Sequence, residues 1–404
     1  MKAVLKDLRI AIKQADHSQR DTLIEWLLTS EAAKRSGVMD YAINCKPDER
    51  PSLDACIACV EKLDLTTPIK EGAKVYRKEK PGKGNFRPIA VFGIQHRTAQ
   101  AMVKAVLDVL FKPRKFQFSH RGVAPAIAEA RKQIGKGRFY YAHLDIKSFY
   151  MNFVASLLAA RLPLPAWAVE NVLVGENMQW AARGKKMLFS SKHTRMLNQA
   201  RLGIPQGSSA SPIVAMIECA RLNPSSLGIT ALMNYMDDFL LLTKTSAELE
   251  EQIAKLSEAV GALPGGHFTL VTKSRGHLAD GCDFLGHNLR LKDEELRVNP
   301  TEANGQKLSH KLTEMEEASA AHTTFYPDKA NVLQAAAKMN AHIEGWKSAF
   351  KECDDLEDRW LMLPRQAVEH MLAKVGATFD DLKGLSPKVT FHPWYQGEAP
   401  AGAV

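Results

Sequence analysis

The sequence has little with which to enter a membrane or to staple a small secreted fold. Across 404 residues no apolar run approaches the roughly 18 to 20 residues needed to span a bilayer. Residues 1–20, MKAVLKDLRIAIKQADHSQR, are amphipathic and charged, unlike a secretory leader, so a cytoplasmic protein with no membrane partner is expected. Six cysteines, at 45, 56, 59, 219, 282 and 353, are too scattered for a disulfide framework. Cys56 and Cys59 form a lone CxxC. With no second pair and no His pair nearby to complete four ligands, they read as two ordinary thiols a helical turn apart, and no structural metal is assigned. Internal repeats and low-complexity tracts are missing too, which leaves a globular, non-repetitive chain.

What is present is an ordinary soluble composition, 45% hydrophobic and 25% charged, long enough for two to three packed subdomains. Lys and Arg number 54 against 45 Asp and Glu, and the formal charge of +9 favours a polyanionic partner without separating nucleic acid from an anionic membrane. Residues 1–70 read as short helices, one of them from Asp21 to Ser36, interrupted by polar stretches such as KPDERPS. Residues 74–88, KVYRKEKPGKGNFRP, carry six Lys or Arg against one Glu, with turn signals between two β-like runs, which predicts a basic hairpin with a mobile tip. Helical periodicity follows in RTAQAMVKAVLDVLF and over 124–134. The apolar strand FYYAHLDI, 139–146, comes next, then a basic, loop-rich stretch over 183–201 with six Lys or Arg and no acid. ITALMNYMDDFLLLT, 229–243, has two β-type runs around an acidic pair, a tight hairpin in prospect. A helix from Ser246 to Val260 and strands around HFTLVTK and CDFLGHNLRL complete an order that resembles a split β-α-β layer of the α+β class, and helical patterning dominates beyond Pro300.

Asp145 ends the apolar strand, and Asp237 and Asp238 are expected at the hairpin tip, so adjacent strands could bring three carboxylates together. Hard divalent cations prefer such oxygen ligands. Two of them about 3.5 to 4 Å apart can activate a hydroxyl and stabilise a departing pyrophosphate, which is nucleotidyl transfer. Taken alone, an Asp-Asp pair also suits an ordinary turn.

Three blocks in this order, LDIKSFY (144–150), GIPQGSSASP (203–212) and NYMDDFLLL (234–242), followed by FLG (284–286), resemble the reverse transcriptase family over roughly residues 74–350. The resemblance implies a right-hand polymerase with fingers, a ferredoxin-like palm and a helical thumb. It assigns 1–70 to a helical extension, 71–300 to fingers and palm, 301–385 to the thumb and 386–404 to a tail. It implies RNA-directed DNA synthesis from dNTPs with two Mg²⁺ ions, Mn²⁺ being a possible substitute. An RNA template and a DNA primer or product are the implied partners.

Residue by residue, the resemblance makes Asp145, Asp237 and Asp238 metal ligands, with the Ile146 carbonyl assisting. Tyr150 stands where the family has an aromatic steric gate beneath the sugar, a position at which a core aromatic is the alternative. Gln206 and Gly207, in a Gly-flanked turn, approach the incoming nucleotide, and Ser211-Pro212 starts the supporting helix. Arg87, Lys78 and Lys80 of the basic hairpin neutralise the triphosphate, with a solvated basic loop as the alternative for the two lysines. Lys273 occupies the place of a family lysine proposed to protonate pyrophosphate; an exposed lysine is its alternative. Met236, Leu285 and Gly286 are placed beside the primer end. Basic segments 112–138 and 183–201 track phosphates with little sequence information. Phe116, Phe118 and Phe149 could stack bases, although core packing is the better expectation, and Trp346 in HIEGWKSAF reads as a packing residue.

Within the family, the DIKxFF-like and FLG-like elements are similar to bacterial retroelement and defence-associated enzymes. LRVNP (296–300) departs from the Val-Thr-Gly of retrons, and Ser211-Pro212 from the Ser-Gln of diversity-generating enzymes. A defence enzyme working on a cognate non-coding RNA is the leading expectation. A group II intron-like maturase, a retron enzyme and a nonenzymatic RNA-binding scaffold stay open.

Overall fold

The computed structural model describes residues 1–46, 49–79, 86–181, 191–323 and 329–385. In chain order its elements are α1 (Lys2–Lys13), α2 (His17–Thr29), α3 (Glu31–Asn44), α4 (Leu53–Lys62), β1 (Ala73–Glu79), β2 (Phe86–Val91), α5 (Ile94–Leu110), α6 (Val123–Ile134), β3 (Tyr140–Ile146), a 3₁₀ turn (Phe149–Asn152), α7 (Ala155–Ala159), α8 (Ala166–Ala168) and β4 (Trp180–Ala181). There follow α9 (Ser191–Ala200), α10 (Ser211–Cys219), β5 (Leu232–Tyr235), β6 (Asp238–Thr243), α11 (Ser246–Gly261), β7 (Leu270–His277), β8 (Cys282–Phe284), β9 (His287–Lys292), β10 (Glu295–Pro300), α12 (Glu302–Thr323), α13 (Lys329–Ala349) and α14 (Met362–Ala373). Helices and sheets are segregated in the manner of the α+β class. No helix among the described residues is long and apolar enough to cross a membrane.

The chain forms two compact units, Met1–Arg121 with Ala142–Arg275 and Gly122–Tyr141 with Gly276–Val404, passing from one to the other after Arg121, within β3 and within β7. In the first unit α5 buries Ala99, Met102, Val103, Val106 and Leu107, an i, i+3, i+4, i+7, i+8 stripe, against the N-terminal helices. Gly37 of α3 permits that approach, since a Cβ there would stand 2.9 Å from Met102 Cγ. The helix expected over 21–36 is two helices. Ser30 is extended at ψ 145°, its N–H closes α2 on Trp26 O, and its hydroxyl accepts from Ala33 N to open α3. Cys56 and Cys59 are buried on α4, with Cys59 Sγ 3.6 Å from Thr98 Oγ1.

Two sheets build this unit. β1 pairs antiparallel with β2 and parallel with β4, so the basic hairpin has its strands as expected, while its tip lies outside the described residues. The other sheet runs β5-β6-β3-β7. β6 is buried along Phe239–Thr243 without alternation, as a strand covered on both faces must be. Thr245 caps α11, which presents Leu249, Leu256 and Val260 inward.

In the second unit β8, β9 and β10 form an antiparallel meander. Phe284 pairs with His287, leaving Leu285 and Gly286 as a two-residue turn with φ +48° and +81°. Asp354 joins two parts of this unit by accepting from Arg131 Nη2 at 2.7 Å and from Val298 N at 2.7 Å. Trp346 packs 4.5 Å from Phe350, centroid to centroid, in the helical core.

Candidate active site

β3 lies between β6 and β7. Its alternation buries Ala142, Leu144 and Ile146 and turns His143 and Asp145 to the opposite, partly open face. In the β5-β6 hairpin Tyr235 pairs with Asp238, so the turn is Met236-Asp237 and Asp238 is the first residue of β6. This corrects the expectation of an Asp-Asp tip by one residue. The cause is Met236, which takes φ +56°, a conformation that costs a non-glycine residue about 1–2 kcal/mol. Its surroundings hold it there: Met236 N donates to Ser119 Oγ at 2.8 Å, and its carbonyl accepts from Asn234 Nδ2 at 2.8 Å and from Cys219 Sγ at 3.7 Å.

Asp145, Asp237 and Asp238 each offer a carboxylate oxygen within 4.8 Å of the others, and among the described residues no other group of His, Cys, Asp or Glu converges in this way. Burial pushes the Asp237 carboxyl up to about 6, reinforced by the charges of Asp145 and Asp238. Burial acts in the same direction on Asp238, but hydrogen bonds from His143 Nε2 at 3.0 Å and Lys273 Nζ at 2.5 Å outweigh it and hold that carboxyl below the ordinary range. Lys273 Nζ also lies 2.8 Å from Asp145 Oδ1. Burial pulls its pKa down, yet the two carboxylates keep it above that of an ordinary lysine. Ile146 N donates to Asp237 O at 3.0 Å, which ties the turn to the end of β3. Three hard oxygen donors that repel one another, balanced by an ammonium on two of them, form a donor set that fits a divalent cation.

Tyr150 follows in the 3₁₀ turn. Burial and then the Asp237 charge push its hydroxyl well above the usual tyrosine range. Its carbonyl accepts from Ile204 N at 2.9 Å, and Gly203, at φ +59°, has no room for a Cβ because Tyr150 O would lie 2.1 Å away. Two residues on, Gln206 O accepts from Ala90 N at 2.7 Å, and Gly207, at φ +112°, would put a Cβ 2.2 Å from Ala90 O. The structure thus seats the GIPQG turn against both the Tyr150 segment and β2. A cleft between them is lined by Pro88, Ala90, Met151, Trp180, Ile204 and Gln206. Ser211 begins α10, with Pro212 in its first turn and the Ser211 hydroxyl donating to Pro205 O at 2.9 Å.

Lys78 and Arg87 are directly opposed across β1 and β2, and both are exposed. Neither is among the described partners of the three carboxylates, and Lys80 lies outside the described residues. Leu285 and Gly286 belong to the second unit, where Gly286 O accepts from Thr301 N and Asn304 Nδ2. Phe118 and Phe149 are 3% and 2% exposed and therefore pack in the core, and of the basic stretch 183–201 only 191–201 is described. His143, Ser119 and Asn234 were not singled out from sequence. His143 had a signal, its position two residues before Asp145 on the same strand face; Asn234 opens the NYMDDFLLL block, but its hold on Met236 O, like that of Ser119 on Met236 N, is a contact that the residue pattern does not show.

A family model described as reverse transcriptase (RNA-dependent DNA polymerase) matches residues 77–289. No curated protein matches the chain. Among solved structures, telomerase from Candida albicans in complex with a TWJ fragment of telomeric RNA is 13% identical, with a TM-score of 0.43, over 88% of this chain and 68% of that one. Apo telomerase from Candida tropicalis, truncated from its C-terminal domain, is 15% identical with a TM-score of 0.32, over 58% of this chain and 56% of its own.

Proposed function

The chain belongs to the reverse transcriptase (RNA-dependent DNA polymerase) family, and from that premise we propose that Asp145, Asp237 and Asp238 are its catalytic carboxylates for synthesis of DNA on an RNA template. The observation that carries this reading is the convergence of the three oxygens within 4.8 Å at the ends of adjacent strands. The three carboxylates, with the Ile146 carbonyl, are the groups to hold divalent cations, Mg²⁺ or in its place Mn²⁺. When bound, a pair of such ions lowers the pKa of the primer 3′-hydroxyl and neutralises charge on the departing pyrophosphate.

The chain's own residues supply the rest. Lys273 Nζ keeps its proton beside Asp145 and Asp238 and is the donor to pyrophosphate. Gln206 and Gly207 present backbone and amide to the incoming dNTP, and Arg87, Lys78 and Lys80 neutralise its phosphates. The Tyr150 ring fills the space a ribose 2′-hydroxyl would need. Met236, Leu285 and Gly286 support the primer end. In this reading 71–300 are fingers and palm, 301–385 the thumb, 1–70 an extension and 386–404 a tail. Within the family we assign the chain to the bacterial defence-associated group, acting in the cytoplasm on a cognate non-coding RNA. Support comes from DIKSFY and FLG, which are similar to bacterial retroelement enzymes, and from LRVNP and Ser211-Pro212, which depart from the retron and diversity-generating signatures.

The test is to purify wild-type protein and Asp237→Asn with accompanying RNA, add Mg²⁺ with dNTPs or rNTPs, and sequence the labelled products. DNA complementary to one copurified RNA, made from dNTPs and missing with the variant, is expected. Equal synthesis by Asp237→Asn would remove the site assignment, and wild-type protein inert on both its own RNA and a supplied primer-template would favour a scaffold.

A further inference from the structure

Glu218 carries the least expected charge in the first unit. Its side chain is 2% exposed, and an unpartnered carboxylate buried to that degree would be strongly destabilising. Its partners are unusual: Oε1 accepts from the backbone N–H of Gly265 at 2.7 Å, and Oε2 accepts from Arg221 Nε at 3.0 Å. Arg221 is in turn held by Arg161 O at 3.2 Å. The carboxylate lies so close over Gly265 that a Cβ there would stand 2.7 Å from Glu218 Cδ.

The loop that Glu218 grips is laid along the segment just after Tyr150. Gly265 O accepts from Val154 N at 3.0 Å, Asn152 O accepts from His267 N at 3.0 Å, and Phe153 bridges antiparallel to Gly266. A Cβ on Gly266 would lie 2.1 Å from Asn152 O, so the two backbones are in direct contact. Phe268 closes the arrangement: its ring is 5.1 Å from Phe149 and 5.0 Å from Phe153, and those two are 5.0 Å apart. Tyr150 therefore sits between two clamps. Gly203 and Ile204 hold its carbonyl on one side, and the Gly265-Gly266 loop holds residues 152–154 on the other.

We propose that Glu218 is a positioning residue for sugar discrimination, fixing the Gly265-Gly266 loop against residues 152–154 and so setting where the Tyr150 ring stands relative to the sugar. The proposal rests on the reading of Tyr150 as the steric gate. Glu218 touches no reacting atom in this scheme. Loosening its grip lets the ring retreat and opens space for a 2′-hydroxyl, while Asp145 on β3, Asp237 in the β5-β6 turn and Asp238 on β6 keep their places.

The experiment measures kcat and KM separately for a dNTP and the matching rNTP on a supplied primer-template, using the full chain with its copurified RNA. The variants are Glu218→Ala, Glu218→Gln, Glu218→Asp, Gly265→Ala, Tyr150→Ala and the double variant Glu218→Ala with Tyr150→Ala. Glu218→Ala and Gly265→Ala should lower the dNTP over rNTP preference on the order of tenfold, the scale of one methylene's misfit in a pocket, chiefly through a lower KM for the rNTP. Glu218→Gln keeps an acceptor for Gly265 N and should restore the preference. Glu218→Asp, whose carboxylate is withdrawn by one methylene, should relax it in the same direction by less, and it serves where the alanine variant does not fold. Adding Glu218→Ala to Tyr150→Ala should change the preference no further. A uniform loss of turnover with the preference intact in both Glu218→Asp and Gly265→Ala would overturn the proposal. If Tyr150→Ala itself leaves the preference unchanged, it is the gate reading that fails.

Discussion

Replacing Asp237 by Asn should make the metal-free protein more stable, not less. Burial and the charges of Asp145 and Asp238 raise the Asp237 carboxyl from 3.8 to about 6. At about 1.4 kcal/mol per unit this is roughly 3 kcal/mol of opposition to the ionised form. Proton linkage gives the sign. Below 3.8 the group is protonated in both states, whereas between 3.8 and about 6 the unfolded chain releases a proton that the folded chain keeps. The Asp237 contribution to stability therefore falls as pH rises through that window, and its full penalty stands above it. Asp238, held below the ordinary range, titrates beneath the window and leaves this trend intact. Asn keeps the shape and removes the charge, so a net gain of about 1–3 kcal/mol is expected near pH 7.5 and less near pH 5. The assay is denaturant unfolding in EDTA at both pH values, repeated with Mg²⁺. Ligand linkage predicts that Mg²⁺ stabilises the wild type and stabilises the variant much less. A variant less stable than wild type at pH 7.5 in EDTA, or equally stabilised by Mg²⁺, would refute the picture of a strained acidic cluster relieved by cations.

The other predictions concern the groups around that cluster. Lys273→Met removes an ammonium that competes for the Asp145 and Asp238 oxygens. Half-saturating Mg²⁺ should fall only a few-fold, because an ion pair on a side chain this exposed is worth at most about 1 kcal/mol. Turnover should drop on the order of a hundredfold where the lysine is the proton donor; a Mg²⁺ titration that moves the other way would remove its role as a competing cation. Gly207→Ala sets a Cβ against Ala90 O and displaces Gln206, so dNTP KM should rise on the order of tenfold to a hundredfold in steady-state kinetics while metal dependence stays put. Ser119→Ala leaves Met236 N without its acceptor, a loss of about 1 kcal/mol, and should lower kcat with little change in dNTP KM.

Much of the fold was legible because local chemistry agrees with tertiary structure. The stripe in α5, the Thr245 cap before α11 and Pro212 in the first turn of α10 each act within a few residues, so their elements are found where periodicity and turn residues put them. What escaped is non-local. Ser30 is a hydroxyl inside an unbroken helical pattern, and only its N–H on Trp26 O and its hydroxyl on Ala33 N show that one helix ends and another begins there. The second unit joins 122–141 to 276–404 through pairs such as Leu278 N to Phe139 O, a link between segments well over a hundred residues apart that no window on the sequence spans.

At the candidate site the one-residue slip at the hairpin has physical meaning. A two-residue turn between paired strands ordinarily draws glycine or asparagine, and an Asp-Asp pair is the better turn former in Tyr-Met-Asp-Asp-Phe. The chain instead bends at Met236 and takes Asp238 into β6, beside His143 and Lys273. Had the turn fallen on Asp237-Asp238, Asp238 would stand off the strand, without the register that lets His143 of β3 and Lys273 of β7 reach it. The strain at Met236 and the burial of Asp237 are opposed to stability, and both are held by contacts from elsewhere in the first unit: Ser119 and Cys219 on the turn, Ile146 on the Asp237 carbonyl. Local rules fail at this turn because those contacts over-determine it, and they bring three carboxylates closer than their charges alone would allow.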